Sequence, residues 1–333
     1  MILDATTLPV IFAALMGLSI LLYVVLDGYD LGVGLLFPFT TADERDRMIG
    51  SIGPFWDANE TWLVLAIGIL LVAFPTAHGA ILTALYLPVS IMLLGLILRG
   101  VAFEFRAKAP AGQKGAWDAT FFAGSLMAAL SQGFMLGLYI MGLDWTWGHV
   151  GFALLTAGAL AVAYSFIGAC WTILKAEGSL QLKAVAWARG GIWGVVLGMG
   201  AISLATPLVS PRILERWISF PELFFLAPLP IASTALIAML WIALRHLPTK
   251  GDHFAWFPFA GATALMSLGF AGMAYSFYPY VVPERLTIYA AAASPESLRI
   301  ILFGTIFVLP VILAYTALSY TIFRGKATKL TYD

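Results

Sequence analysis

Charge is what this 333-residue chain has least of: Asp, Glu, Lys and Arg make up 11% of it, against 61% hydrophobic residues. So little polar side chain cannot cover a water-facing surface, and the mean hydropathy of +0.92 makes lipid the expected solvent. The 18 basic residues balance 18 acidic ones and form no continuous tract, which excludes a nucleic-acid footprint. Cysteine is nearly absent. Cys170 alone can make no internal disulfide, and without CxxC or CxxCH there is no redox pair, zinc site or attached haem. A lone cysteine in an apolar run reads as a packing residue. Walker-type and dinucleotide-type glycine loops are missing too. Before the first apolar run, Met1 to Thr7 carry Asp4 but no Lys or Arg, so no cleavable signal peptide is expected and the first run reads as a retained helix.

What the chain has in excess is long apolar runs. A bilayer core of ~30 Å needs roughly 20 apolar residues per helix. Nine such runs fall near Leu8–Phe37, Gly50–Phe74, Ala80–Phe103, Trp117–Gly142, Gly151–Leu174, Ala184–Thr206, Phe220–Leu244, Phe254–Tyr278 and Leu298–Phe323. A transmembrane barrel would show short alternating segments instead. The expected fold is therefore an all-α integral membrane protein: one polytopic domain over residues 1–333, with nine transmembrane helices in two four-helix bundles plus one peripheral helix. The loops are too short to hold a soluble domain, and no internal repeat is visible.

Orientation follows from the basic residues. Arg45, Arg47, Arg99, Arg106, Lys108, Lys114, Lys175, Lys183, Arg189, Arg245, Lys250, Arg324, Lys326 and Lys329 fall on one side of this topology; only Arg212, Arg216, Arg285 and Arg299 fall on the other. The positive-inside rule then puts the N-terminus outside and the C-terminus in the cytoplasm.

Ionisable residues inside spans cost at least ~2.5 kcal/mol each at the bilayer centre, so they mark function first. Asp27 and Asp30 are three apart in LDGYDLGVG and share one helix face; Asp57 and Glu60 repeat the spacing in PFWDANETW, read as two turns or more into the second span. Arg99 and Glu104 close the third span and Asp118 opens the fourth. The acids thus gather in the half of the membrane nearer the basic loops, as a proton path admitted from the cytoplasm would require. The plainer reading is that Arg99, Glu104 and Asp118 sit near water and pair structurally, Arg99 with Glu104. Asp57, flanked by Trp56, Asn59 and Glu60, is the better proton-conducting candidate. Gly28, Gly32 and Gly34, and Gly190, Gly191, Gly194, Gly198 and Gly200, would let helices approach closely.

The histidines, His78, His149, His246 and His253, stand at span ends or in loops without an i, i+4 partner, whereas a buried haem needs an axial His or Met projecting from a span. Met127, Met135 and Met273 are on spans, but methionine in an apolar helix is usually filler. Neither a metal nor a haem is expected on this chain.

At PFWDANETWLV the sequence resembles the second-span motif of subunit II of cytochrome bd-type quinol oxidases. LDGYDLGVG, LRGVAFEFR, WDATFFAGS, SQGFMLG, GACWTILKAEG, SFYPYVVP and ILAYTALSYTIFRGK follow that family in order over essentially the whole chain. SQGFMLG and the compact length resemble the cyanide-insensitive branch. The resemblance implies a heterodimer in the bacterial plasma membrane whose subunit I carries haem b and haem d, or a second haem b type in place of haem d, and oxidises quinol. This chain would be its haem-free partner. A small single-span accessory subunit and a quinone held as a structural wedge are compatible with it. By the same resemblance, Asp57 lies on a proton path from the cytoplasm, relayed by Glu60, Asp27 and Asp30, and Trp62 marks the mouth of an oxygen channel. Glu104 replaces the aspartate of some relatives. The complex would reduce oxygen to water with cytoplasmic protons, moving charge worth ~2.3 kcal/mol per 100 mV without a pump. The rival readings are a proton- or cation-coupled carrier and a purely structural scaffold.

Overall fold

The computed structural model describes residue 4 and residues 6–110, 112–209 and 211–327; Lys329, one of the orienting cations, lies outside the described residues. Among the described residues nine helices are long and apolar enough to cross a bilayer. The chain opens with α1 (Thr7–Leu35), followed by a short amphipathic α2 (Ala42–Ile52) and the second span α3 (Trp56–Ala73). The second span therefore begins at Trp56, not at Gly50. Thr41 and Glu44 close a capping box on α2, the charged face of ADERDRMIGSI stays polar, and Met48, Ile49 and Ile52 bury the other. Pro54 has no N–H with which to continue the helix, so α2 stops and the chain restarts in a new direction.

The remaining spans are α4 (Pro75–Lys108), α5 (Lys114–Ile140), α6 (Trp147–Lys175) and α7 (Gly178–Val209). After the short α8 (Pro211–Ile218) and α9 (Glu222–Leu226) come α10 (Pro228–His246), α11 (Phe257–Phe277), the two-stranded ribbon β1 (Tyr280–Val282) and β2 (Leu286–Thr287), α12 (Ile288–Ala291) and α13 (Pro295–Ile322). α1, α3, α4 and α5 form the first bundle and α6, α7, α10 and α11 the second, joined where α6 lies along α1 and α5. α13 is peripheral: among the spans only α1 meets it at more than isolated points. This is the expected architecture.

The bundles meet at a very close crossing. A Cβ on Gly32 would stand 1.8 Å from the Tyr164 carbonyl oxygen, and one on Gly168 would stand 2.4 Å from the Gly32 carbonyl carbon. Only glycine fits on either side. Gly190 and Gly200, by contrast, face open space, so close approach is not their role. The crossing draws an aromatic core together at the end of the molecule that carries most Lys and Arg, here termed the basic end. Tyr29 stacks on Trp171 with centroids 4.2 Å apart, and Trp171 meets Phe259 edge-on at 5.0 Å. Each such pair adds about 0.5–1.5 kcal/mol beyond simple burial. Cys170 lies beside them, fully buried.

Candidate functional site: an arginine buried among carboxylates

Arg99 lies nine residues before the end of α4, roughly 13 Å along the helix axis. Its side chain is 0% exposed, as is that of Asp27 on α1, and Arg99 Nη1 donates to Asp27 Oδ1 at 2.5 Å. Glu60 of α3 approaches from the other side, with Oε1 3.4 Å from Arg99 Nη2, an ion-pair distance without hydrogen-bond alignment. Asp30, one turn beyond Asp27 and also 0% exposed, accepts from Asn59 Nδ2 at 2.8 Å. Three helices thus bring three carboxyl groups to one guanidinium. Asp27 Oδ2, Asp30 Oδ1, Glu60 Oε1, Arg99 Nε and Arg99 Nη2 are buried without a hydrogen-bond partner. Buried polar atoms are nearly always satisfied, so five such atoms on four neighbouring residues set this cluster apart from a fully paired salt bridge.

Asn59 connects this site to a second group of polar side chains. Its Nδ2 also stands 3.0 Å from the Tyr29 hydroxyl and 3.3 Å from Leu26 O, which share the second N–H of the amide. The Tyr29 and Tyr320 hydroxyls are 2.6 Å apart, and Tyr320 donates to Asn59 Oδ1 at 3.2 Å. On the far side of Asp27, Tyr23 lies close enough to feel that carboxylate's charge and accepts from Gln132 Nε2 at 2.7 Å, while Tyr164 donates to Gln132 Oε1 at 2.6 Å. Neither charge nor hydropathy singles out Asn59, Gln132 and the tyrosines as site residues; the sequence signal for Gln132 is an amide in the middle of an apolar span.

Two expectations need correction. Arg99 does not pair with Glu104 but with Asp27 and Glu60. Five residues on one helix are roughly 140° apart around its axis, which turns Glu104 away from Arg99. Nor is Arg99 a snorkelling boundary residue. Asp57, in turn, is not two turns deep: it is the second residue of α3 and is exposed, on the outward face that also carries Thr61 and Val64. It lies a single turn from Glu60, close enough for their charges to interact. Trp62 points the other way and is 1% exposed.

Asp118 does pair structurally. It accepts from Arg45 Nη1 at 2.9 Å and from Arg106 Nε, and Arg106 Nη1 reaches Asp46 at 2.8 Å. This clamp holds α2 across the ends of α4 and α5. Glu44, outside the spans, takes a 2.8 Å bond from Lys183. Burial pushes the Glu44 carboxyl up, but the Lys183 and Thr41 hydrogen bonds outweigh it and hold the group below the usual glutamate range.

A family model described as cytochrome bd terminal oxidase subunit II matches residues 8–323. The chain belongs to the cytochrome bd oxidase subunit II family. Among this family's curated members, subunit 2 of the cytochrome bd-I ubiquinol oxidase of Escherichia coli (strain K12) is 28% identical, over 98% of this chain and 97% of that protein. Subunit 2 of the cytochrome bd ubiquinol oxidase of Bacillus subtilis (strain 168) is also 28% identical, over 91% and 92%. The bd oxidase structure from Geobacillus thermodenitrificans superposes with a TM-score of 0.77 over 95% of this chain and 98% of that one at 17% identity, which shows the same fold. As a subunit II, the chain is a multi-pass bacterial inner-membrane protein and part of a quinol oxidase; the carrier reading is set aside.

Proposed function

We propose that this chain is the haem-free subunit of its quinol:oxygen oxidoreductase, and that its buried acid cluster carries protons from the cytoplasm towards a haem-bearing subunit I. The observation that carries the reading is the gathering of Asp27, Asp30 and Glu60 around the fully buried Arg99, with an unpartnered oxygen on each of the three acids. With one cation to three carboxyl groups, the cluster can take up and release a proton on one acid while Arg99 stays paired with another. The orphaned atoms would hold water, the usual medium between such groups. The positive-inside rule makes the basic end cytoplasmic. Asp57, exposed in the first turn of α3 at that end, would receive the proton and pass it one turn inward to Glu60.

An exposed acid at the start of a span is costly against lipid, so we assign the outward face of α3 to the partner subunit. The mouth of the path at Asp57 would then lie beside the subunit boundary. An oxygen route would pass Trp62, whose indole is enclosed within this chain. Haem b and haem d, or a second high-spin haem b, belong in subunit I on this reading. The spans here offer poor axial ligands: Met135 and Met273 are packed against the hydrophobic clusters, and His149 and His246 sit at helix ends with Nδ1 engaged by backbone oxygens. A structural quinone would fit the apolar groove of about 230 Å³ bounded by Leu15, Ser19, Leu65, Ile301 and Thr305. A single-span accessory subunit would have exposed apolar surface to dock on.

Purified complex carrying Asp57→Asn tests the mouth of the path. Slower quinol-dependent oxygen uptake with an unchanged haem spectrum is expected, whereas full turnover would remove Asp57 from the path.

A further inference from the structure

α13 stands outside both bundles, yet its basic end is tied down at several points. Lys175 Nζ donates to the carbonyls of Phe323 at 2.5 Å and Gly325 at 3.1 Å, neutralising the end of the helix. Ala327 N returns a bond to Lys175 O at 2.8 Å, and Lys326 pairs with Asp252 and donates to Ala176 O at 3.0 Å. Phe55 stacks on Tyr320 with centroids 4.4 Å apart. These contacts set the Tyr320 hydroxyl against Tyr29 and Asn59, residues 291 and 261 positions away.

The hydrogen-bond directions there are determined by supply. Tyr320 donates its only hydroxyl proton to Asn59 Oδ1, so it must accept from Tyr29. Tyr29, having donated, accepts from Asn59 Nδ2. The three side chains close a one-way ring, and neither hydroxyl has a proton left for Asp30. The ring is consequently a brace and not a wire. With its oxygen held by Tyr320, the Asn59 amide cannot flip, and Nδ2 stays on Asp30 Oδ2 at 2.8 Å. Asp30 is thereby fixed within the field of Arg99, Asp27 and Glu60.

We propose that Tyr320, on the peripheral last helix, is a positioning residue for proton transfer: acting through Asn59, it holds the Asp30 carboxylate in the orientation the acid cluster uses. This rests on the reading of that cluster as a proton path. The C-terminal strap formed by Lys175, Lys326 and Ala327 in turn positions Tyr320.

Tyr320→Phe keeps the stack on Phe55 and deletes the hydroxyl. In the purified two-subunit complex, with haem spectrum and subunit ratio unchanged, turnover should fall about three- to tenfold, the range of a network hydrogen bond. The solvent deuterium isotope effect on oxygen uptake should rise, because proton transfer becomes limiting; a merely structural role would not move it. Tyr29→Phe breaks the same ring elsewhere and should act alike, carrying the test if Tyr320→Phe does not assemble. Tyr320→Phe added to Asn59→Ala should cost nothing beyond Asn59→Ala alone. An unaltered isotope effect and turnover in the tyrosine variants, or fully additive losses, would overturn the brace. Asp30→Asn separates the two layers: slow Asp30→Asn with normal tyrosine variants sinks only the brace, while full turnover in Asp30→Asn sinks the proton path with it.

Discussion

Replacing Arg99 by methionine would leave the Asp27 carboxylate in a fully buried site without its cation. The 2.5 Å contact puts the charge centres roughly 4 Å apart, where attraction is about 4 kcal/mol at an effective dielectric near 20. Much of that attraction only offsets desolvation in the intact protein, but the surviving partner of a broken buried pair keeps its desolvation cost. The expected destabilisation is therefore ~3–5 kcal/mol, seen as a fall in the Tm of the detergent-solubilised complex of roughly 5–15 °C. Methionine preserves length and apolar volume, so a cavity does not account for the loss. Adding Asp27→Leu should recover most of the Tm, since a well-packed apolar pair often replaces a buried ion pair at little cost. Turnover should stay low in the double variant, because the acid is gone. Thermal unfolding by intrinsic fluorescence, paired with quinol-dependent oxygen uptake, reads both. A single variant within about 2 °C of the parent, or a double variant as unstable as the single, would refute the assignment of Arg99 as the charge that holds the cluster.

Gly32→Ala should prevent stable union of the bundles, because its Cβ would enter the Tyr164 carbonyl; a normal yield of assembled complex would contradict this. Asp118→Asn leaves Arg45 and Arg106 competing for weaker acceptors, and should loosen α2 by about 1–3 kcal/mol, measurable as faster amide exchange over Ala42–Ile52 with little change in turnover. Glu44 supplies a pH test. Its native carboxyl lies below the ordinary range, so its contribution is fully present above the unfolded-state value and disappears as pH falls through the native one. The Tm difference between the parent and Glu44→Gln should accordingly be largest near about pH 7 and shrink towards about pH 3; a difference that grows on acidification would contradict the sign.

Length and apolarity made the spans readable in advance, since a bilayer imposes both on any helix that crosses it. The start of the second span was not readable from hydropathy alone, because Gly50 to Phe55 look like its beginning until the capping box at Thr41 and the imino nitrogen of Pro54 are weighed. The acids were legible as a class and not as an arrangement. Spacing put Asp27 and Asp30 on one face of α1, and the structure agrees. It could not say that Arg99 of α4 turns towards α1 while Glu104 turns away, nor that Asp57 faces outward, because the rotation of each helix is decided by its neighbours. Tyr320 was invisible for a different reason: a tyrosine in an apolar helix is unremarkable until a partner 261 residues away is folded against it.

Proton uptake from the cytoplasmic side during oxygen reduction tests the central claim most directly. In vesicles containing the complex in one orientation, Glu60→Gln and Asp27→Asn should each slow dye-reported uptake at least about tenfold, the scale of a lost general acid–base group, and oxygen consumption should slow in step while the haem spectrum and quinol binding persist. Parental rates of uptake in both variants would show that protons reach the oxygen-reducing site without this cluster.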